Sequence, residues 1–344
     1  MRAYLEDGIF SECKDSYIYV ERELLNGKIR RGIVAEIDLD AYEFSPEKSA
    51  PIKATEKTVE ERLEKRIDLR RNASLELPHI LVFYNDPEGE VLSSIEADKG
   101  ELLYSFRLMQ GGGHIEGRLV EKERALRLSQ AFEELERKAQ EKAEKSGAES
   151  AAVLAVGDGN HSLATAKAVW EEKKESLNSE ERARARERYA LVELVNIFDE
   201  GINMEPIHRV VKNTESRGFA KFIEEYFRGL SSSGEARTLT AGTGEGKLTF
   251  AVSGLDTGEI VRSADRAVEE YIKLFGGEED YVHDAADAER IGSDANAAFI
   301  LLPEMIKEEV FKTVSEHRIL PKKCFSIGHA REKRYYLEAR RIKQ

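Results

Sequence analysis

The sequence predicts a mixed α/β (α+β) protein, because strand-like and helix-like hydrophobic patterns alternate along its 344 residues. Residues 16–44 alternate apolar and polar positions around Asn26-Gly27, a pattern that predicts a β-hairpin. Residues 120–146 have the pattern of a long helix. The segment "VGDGNHSLATAKAVWEE", residues 156–172, predicts the end of a strand, a tight turn and a helix. With no internal repeat and no obvious linker, we expect one domain over 1–344, with possible lobes at 1–150 and 151–344.

The other elements are predicted in chain order from the same periodicities. A charged helix over 59–72 precedes a buried strand over 79–84, and residues 90–120 predict further strands around "QGGGHIEG". The later segments predict a strand, turn and strand over 191–211, a hairpin over 237–254, a helix over 303–317 and a final strand at "RYYLEARRI".

Composition and charge exclude several classes of function. The formal net charge of −13 argues against a general nucleic-acid binder, which needs clustered Lys and Arg to neutralise phosphates. No apolar run approaches the roughly 18 residues that span a bilayer, so we expect a cytoplasmic protein without a membrane partner. The two cysteines, Cys13 and Cys324, lack the spacing of a zinc site or a disulfide framework.

The turn at residues 157–162 is the strongest candidate for a ligand site. A helix N-terminus carries unpaired N–H groups and partial positive charge, and Gly157 and Gly159 allow a close approach by a phosphate. Asp158 could bind Mg²⁺ or accept a proton, and His161 could stabilise the charge on a group that is being transferred. The alternative is a capping loop with Asn160 or Ser162 as the N-cap, which explains the helix start but not the crowding of polar residues.

Two glycine-rich segments are weaker candidates. "GTGEGK", residues 242–247, differs from a phosphate-binding P-loop because Ala241 and Leu248 replace the required Gly and Ser or Thr, so we predict a hairpin turn. "GGGH", residues 111–114, could bind an anion through its backbone with His114 alongside, or could be a flexible turn or lid.

Two basic segments complete the candidates. Arg209, beside His208 in "EPIHRVV", could hold a carboxylate or phosphate, or could pair with a carboxylate of the core. In "LPKKCFSIG", Lys323 could reach a phosphate, although an exposed surface pair with Lys322 is the alternative.

The chain resembles the DUF1015 family, and its motif resembles the signature of the ParB/sulfiredoxin-like superfamily. Six segments resemble family blocks in the same order: "YIYVERELLNGKIRRGIVAEIDLDAYEF", "TEKTVEERLEKRIDLRRN", "GDGNHSLATA", "PIHRVV", "ANAAFILLP" and "LPKKCFSIG". The family usually has Asp-Gly-His-His-Arg, whereas here Asn160 and Ser162 replace the first His and the Arg. The resemblance implies a ParB/sulfiredoxin-like core with a large insertion at 85–150 and a C-terminal extension.

The resemblance to free serine kinases of this superfamily implies a phosphotransferase. The acceptor would be the hydroxyl of free L-serine or a similar amino acid, and the donor pyrophosphate, ATP or ADP with Mg²⁺. Glu56, before the helix at 59–72, would be the catalytic base, acting with Asp158 and His161. Asp158 would also hold Mg²⁺. The donor would bind at Gly157, Gly159, Asn160 and Ser162, with Lys323 and His114, and the substrate at His208 and Arg209. The alternative is a ParB-type nucleotide-binding regulatory module without turnover. The oligomeric state is left open.

Overall fold

The protein is described by a computed structural model, which defines residues 2–58, 63–77, 80–146, 151–316, 318–328, 332 and 337–343. The chain divides into two compact units. The first contains Met1–Ile202, Val310–Ile319 and His329–Gln344, and the second contains Asn203–Glu309 and Leu320–Gly328. The division therefore falls after Ile202, whereas the predicted lobes met at residue 150, because residues 154–196 supply two strands to the sheet of the first unit.

The described residues form helices and strands throughout, which confirms the mixed α/β class. The strands are β1 (Ser16–Glu23), β2 (Ile29–Asp38), β3 (Tyr42–Glu43), β4 (Ile52–Ala54), β5 (Leu75–Glu76), β6 (Leu81–Tyr84), β7 (Glu101–Arg107), β8 (His114–Glu121), β9 (Leu154–Asp158), β10 (Tyr189–Asn196), β11 (Met204–Pro206), β12 (His208–Lys212), β13 (Ala236–Thr243), β14 (Gly246–Ser253), β15 (Glu278–Val282), β16 (Ala298–Leu301), β17 (Phe325–Ile327) and β18 (Arg340–Arg341).

The first α-helix precedes β1, and the others lie between the strands. The helices are α1 (Arg2–Glu6), α2 (Glu64–Asn72), α3 (Glu90–Glu96), α4 (Glu123–Ser146), α5 (Asn160–Lys174), α6 (Ser179–Arg184), α7 (Phe219–Arg228), α8 (Thr257–Phe275), α9 (Ala285–Gly292) and α10 (Lys307–Ser315). Within the part of the chain that the structure describes, no helix combines the length and the apolar character needed to cross a bilayer.

A nine-stranded mixed sheet organises the first unit, in the order β3-β4-β9-β6-β10-β2-β1-β8-β7. Its edge containing β3, β4 and β9 is parallel, whereas β1, β2, β7 and β8 pair in an antiparallel manner. The predicted hairpin is confirmed, since β1 pairs with β2 across a turn in which Gly27 has a φ of 79°. Glycine adopts this left-handed conformation without the steric cost that a side chain brings.

The motif helix α5 contributes one apolar face to the core of this unit. Leu163, Ala166, Val169 and Trp170 recur at helical spacing, and all four are buried as the sequence predicts. The Trp170 indole also donates a hydrogen bond of 2.9 Å to Oδ1 of Asp40. The strand, turn and helix of the motif are therefore fixed by packing as well as by local pattern.

The second unit contains a five-stranded antiparallel sheet, in the order β14-β13-β16-β12-β15. The hairpin predicted at "GTGEGK" is confirmed, because Thr243 of β13 pairs with Gly246 of β14 across a tight turn. This segment therefore connects two strands and does not lead from a strand into a helix, as a P-loop does.

Several element predictions need correction. Residues 90–96 form helix α3 and not a strand, because Val91 and Ile95 are buried at a spacing of four while Asp86 accepts the N–H of Val91 at 2.8 Å. The long helix begins at Glu123 because Val120 belongs to β8. The C-terminal helix is shorter than predicted, and residue 317 lies outside the described residues.

Three other predictions fall partly on residues that the structure does not describe. Residues 59–62 of the predicted helix at 59–72 lie outside the described part, which shows α2 from Glu64. Residue 79 of the predicted strand over 79–84 and residues 334–336 of "RYYLEARRI" are likewise outside it.

Candidate functional site

The turn between β9 and α5 is held in one conformation by local hydrogen bonds. Gly159 has a φ of 90° and precedes the first helical residue, Asn160. Its N–H donates to Oδ1 of Asp158 at 2.9 Å, and the N–H of Ser162 donates to the Gly159 carbonyl at 2.9 Å. Both of these N–H groups already have an acceptor within the turn. Among the N–H groups of Gly159, Asn160 and Ser162, the N–H of Asn160 is therefore the best suited to bind an anion.

Gly157 is required by a contact inside the protein. A Cβ atom at this position would lie 2.4 Å from Cε2 of Phe83, whose ring is fully buried in β6. No real Cβ atom makes so short a contact, so a side chain here would displace the ring. The close approach predicted for Gly157 is thus an approach to Phe83, and its contact with a donor stays a prediction.

Asn160 fastens the motif to the neighbouring strand. Its Oδ1 accepts the backbone N–H of Thr55 at 3.1 Å, and its Nδ2 donates to Oγ1 of Thr55 at 3.3 Å. The Thr55 hydroxyl in turn donates to the carbonyl of Val156 at 2.6 Å. All three residues are buried, so these polar groups satisfy one another where water is excluded. The side chain of Asn160 therefore positions the residue that precedes Glu56.

Glu56 and Asp158 lie at the same ends of two neighbouring strands of the sheet. Strand β4 runs parallel to β9, with Ala54 paired to Val156. Glu56 and Asp158 each follow this pair by two residues, and parallel strands lie about 4.8 Å apart. Both residues are half-buried. The pairing therefore places two acidic residues that are about a hundred positions apart in the chain at the same ends of adjacent strands. Their catalytic roles stay predictions.

His161 and Ser162 occupy the first turn of α5, next to these carboxylates. The carbonyl of His161 accepts the hydroxyl of Thr165 at 2.6 Å, a bond within the helix. Oγ of Ser162 accepts a hydrogen bond from Nη1 of Arg66 at 3.3 Å. Arg66 lies on α2, so a guanidinium group reaches the start of the motif helix from a neighbouring helix.

Arg66 was missed by the sequence-based reasoning. The charged segment "EKRIDLRRN" indicated an exposed helix, and nothing in its periodicity singles out one arginine. Arg71 of the same helix instead donates to Asp68 and to Glu172 of α5, at 2.6 and 2.8 Å. The sequence does contain one indication of such a group. Ser162 stands where the family usually has arginine, and an arginine from another segment can take the place of the missing one.

The carboxylate oxygens of Glu56 and Asp158 are of the type that binds Mg²⁺ together with phosphate. Mg²⁺ is usually held by one or two carboxylates together with substrate phosphates and water, rather than by a cage of protein ligands. Glu56 and Asp158 supply carboxylates of this kind. Among the described residues, no group of three or more His, Cys, Asp or Glu side chains could hold a metal ion by itself. Mg²⁺ binding by Asp158 stays a prediction.

The structure does not bring His114 to the motif. His114 is the first residue of β8, and its Nε2 lies 3.1 Å from Oγ of Ser105 on β7. In the sheet order, β8 is five strands from β9, or roughly 24 Å at the usual strand spacing. The "GGGH" segment connects β7 to β8, and a role for His114 with a donor stays a prediction.

His208 and Arg209 belong to β12 of the second unit, where both are buried. Nδ1 of His208 accepts the N–H of Leu302 at 3.1 Å. Burial, together with the neighbouring Arg209, lowers the pKa of His208 to about 4. The imidazole is therefore neutral at physiological pH and serves as a hydrogen-bond acceptor.

Arg209 has the arrangement of the alternative interpretation, in which it pairs with a carboxylate of the protein. Its Nε lies 2.7 Å from Oδ1 of Asp265, and its guanidinium carbon lies 4.7 Å from the centre of the Tyr281 ring. Nη1 donates to the carbonyls of Ile207 and Lys323 at 2.6 and 3.1 Å. The Lys323 side chain is exposed. Arg209 thus supports the turn at Lys323, and substrate binding by these residues stays a prediction.

Comparisons with known proteins give a family and several distant structural likenesses. Similar solved structures include a conserved hypothetical protein from Pyrococcus furiosus, at 13% identity and TM-score 0.38 over 86% of this chain and 90% of that chain. A free serine kinase in complex with AMP is 12% identical, with TM-score 0.41 over 86% of both chains. SbnI with a C-terminal truncation, from Staphylococcus aureus, is 11% identical, with TM-score 0.39 over 86% of this chain and 82% of that chain.

No curated protein matches the sequence. The model of one protein family, described as a protein of unknown function (DUF1015), matches residues 1–325. This match covers nearly the whole chain. The chain therefore belongs to the DUF1015 family.

Proposed function

We propose that this protein is a small-molecule phosphotransferase that phosphorylates the hydroxyl of free L-serine or a similar amino acid. The observation that carries the proposal is the parallel pairing of β4 with β9, which aligns Glu56 with Asp158 beside the start of α5. A phosphoryl transfer needs a base for the hydroxyl proton and positive charge for the moving phosphoryl group. The carboxylate of Glu56 would be the base, and the start of α5 would supply the positive charge.

Glu56 is the proposed base. Its carboxylate takes the proton of the amino acid hydroxyl as the oxygen attacks the terminal phosphorus of the donor. A new O–P bond forms while the bond from phosphorus to the leaving oxygen breaks. The leaving group is phosphate from pyrophosphate, ADP from ATP, or AMP from ADP. Asp158, on the adjacent strand, positions the hydroxyl or holds Mg²⁺, which when bound would neutralise phosphate charge.

The start of α5 is the proposed donor site. The N–H of Asn160 and the positive end of the helix dipole favour a phosphate here. His161, in the same turn, stabilises the charge that develops on the transferring group. Arg66 adds a guanidinium beside Ser162, where the family usually has arginine in the motif itself. Planar guanidinium groups bind phosphate oxygens in a bidentate manner, so Arg66 is suited to the donor.

The donor is pyrophosphate, ATP or ADP, and an assay with each one separates them. Purified protein is incubated with Mg²⁺, L-serine and one donor at a time, and phosphoserine is detected by mass spectrometry. We expect product with at least one donor and loss of turnover in Glu56→Gln. Glu47→Gln is the matched control, because Glu47 is an exposed carboxylate on the segment that precedes β4.

Absence of product with every donor and with other hydroxyl amino acids would contradict the proposal. If nucleotide still bound tightly in that case, the regulatory module without turnover would replace it. Unchanged turnover in Glu56→Gln, with product formed by the wild type, would instead remove Glu56 from the mechanism and leave the reaction intact.

A further inference from the structure

Among the described residues, the nine-stranded sheet of the first unit ends in one long edge strand that pairs on one side only. Strand β7, "ELLYSFR", pairs with β8 on one side and is the last strand in the sheet order. The opposite edge is formed by β3, which has only two residues. Proteins shorten or charge their edge strands because the unpaired N–H and C=O groups of a long edge can pair with another chain.

The side chains of β7 are unusually apolar for an edge. Leu102, Leu103 and Phe106 are exposed, and Met109 just after the strand is the most exposed of the four, at 67%. The edge strand β15 of the second unit instead begins with three consecutive acidic residues, at 278–280. Strand β7 thus lacks the protection by consecutive charges that β15 has, which indicates a surface that is covered by a partner.

The charges of β7 favour a second copy of the same chain as that partner. The strand begins with Glu101 and ends with Arg107, and Tyr104 is its central residue. If two β7 strands pair in an antiparallel manner about a two-fold axis at Tyr104, Glu101 of one copy faces Arg107 of the other. The same register places Leu102 opposite Phe106. A two-fold interface repeats each pair, so two ion pairs and two apolar pairs form at once.

Neither Glu101 nor Arg107 belongs to an ion pair within the described residues, so both charges are available for this contact. A bulge in the pairing of β7 with β8, between Leu102 and Tyr104, increases the local twist of the strand. Both copies carry the same bulge, so a pair of β7 strands keeps the two-fold symmetry.

We propose that two copies of this protein form a dimer through antiparallel pairing of their β7 strands, centred on Tyr104. The two sheets then become one continuous sheet. The open backbone groups of both edges are satisfied, and the exposed Leu and Phe side chains are covered. This inference does not depend on the proposed phosphotransferase activity, because it concerns the opposite edge of the sheet from Glu56.

Charge reversal tests the register directly. In sedimentation velocity, we expect the full-length wild type to be a dimer, and Glu101→Lys to weaken association about tenfold or more because two like-charge pairs replace two ion pairs. Arg107→Glu should act in the same way. The double variant Glu101→Arg with Arg107→Glu should restore the dimer. Glu96→Lys, an equal charge change at an exposed residue of α3, is the control and should leave the mass unchanged.

Cross-linking gives a second, independent measurement. In a Cys13→Ser background, one preparation carries Leu102→Cys and another carries Phe106→Cys. Opposed residues of antiparallel strands lie about 4.5–5.5 Å apart between Cα atoms, within the range of a disulfide. We expect oxidation to cross-link the mixture but neither preparation alone. A wild type that stays monomeric at every concentration, or single charge reversals without effect on the dimer, would overturn the proposal, as would cross-links within either preparation alone.

Discussion

Oδ1 of Asn160 accepts the backbone N–H of Thr55 at 3.1 Å, and this contact joins the first residue of the motif helix to the residue before Glu56. The two residues are 105 positions apart in the chain. Because the bond is buried, it fixes the distance between the proposed base and the proposed donor site more firmly than an exposed contact would. The contact itself takes no part in the proposed reaction, but it positions both the proposed base, Glu56, and the proposed donor site at the start of α5.

Replacing Asn160 by Ala should therefore reduce both stability and activity. The variant leaves the buried N–H of Thr55 without its acceptor, at a cost of about 1–3 kcal/mol. Trp170, the single tryptophan of the chain, lies on α5, so its fluorescence during urea unfolding reports on this unit. Asn178→Ala is the control, because Asn178 caps the exposed helix α6 and its loss costs about 1 kcal/mol. A stable and fully active Asn160→Ala protein would contradict the proposed positioning.

Arg66→Ala should weaken binding of the donor. Loss of one charge-assisted contact to phosphate corresponds to about a tenfold increase in the KM for the donor, with little change in the KM for serine. The control is Arg71→Ala, because the Arg71 guanidinium is paired with Asp68 and Glu172. The double variant Arg66→Ser with Ser162→Arg returns a guanidinium to the motif and should recover donor binding. Equal KM values in the wild type and Arg66→Ala would exclude Arg66 from the donor site.

Gly157→Ala should destabilise the first unit through Phe83. The added methyl group would overlap the buried ring, and overpacking of this kind costs about 1–3 kcal/mol. A second substitution, Phe83→Leu, removes the ring atoms that clash, so the double variant should be more stable than Gly157→Ala alone. Urea unfolding followed by Trp170 fluorescence measures both effects. If Phe83→Leu gave no recovery, the requirement for glycine would have another cause.

His208 should make the second unit less stable in mild acid. Its pKa is about 4 in the folded protein and about 6.5 when unfolded, so between these values the unfolded chain binds the extra proton. The stabilising contribution is complete above pH 6.5 and is lost as the pH falls toward 4, the loss amounting to on the order of 3 kcal/mol in all and about 2 kcal/mol by pH 5. Hydrogen exchange of peptides covering β12 at pH 7 and pH 5 measures this change.

His208→Gln keeps an acceptor for the N–H of Leu302 but does not titrate, so the difference between the two pH values should shrink in this variant. His114→Gln, which alters a histidine of the first unit, is the control. A pH dependence of β12 exchange that is the same in His208→Gln and in the wild type would assign the acid sensitivity to another group.

The division between sequence and tertiary structure is clear for the helices. The apolar spacing of Leu163, Ala166, Val169 and Trp170 specified α5 and its buried face, because helical periodicity is a local property. The pattern of residues 90–96 indicates strands, although Asp86 accepts the N–H of Val91 only five residues away. The burial of Val91 and Ile95 in the core of the first unit, which is a tertiary property, accompanies the helix that forms there.

The candidate site shows the same division. The sequence by itself determined the strand, tight turn and helix of the motif, since turn chemistry acts over a few residues. Only the tertiary structure decided that β4 pairs in parallel with β9, that Arg66 reaches Ser162 and that His114 lies five strands away. Strand order and contacts between distant side chains depend on how the whole sheet buries its apolar faces, and this has no signature within any short segment.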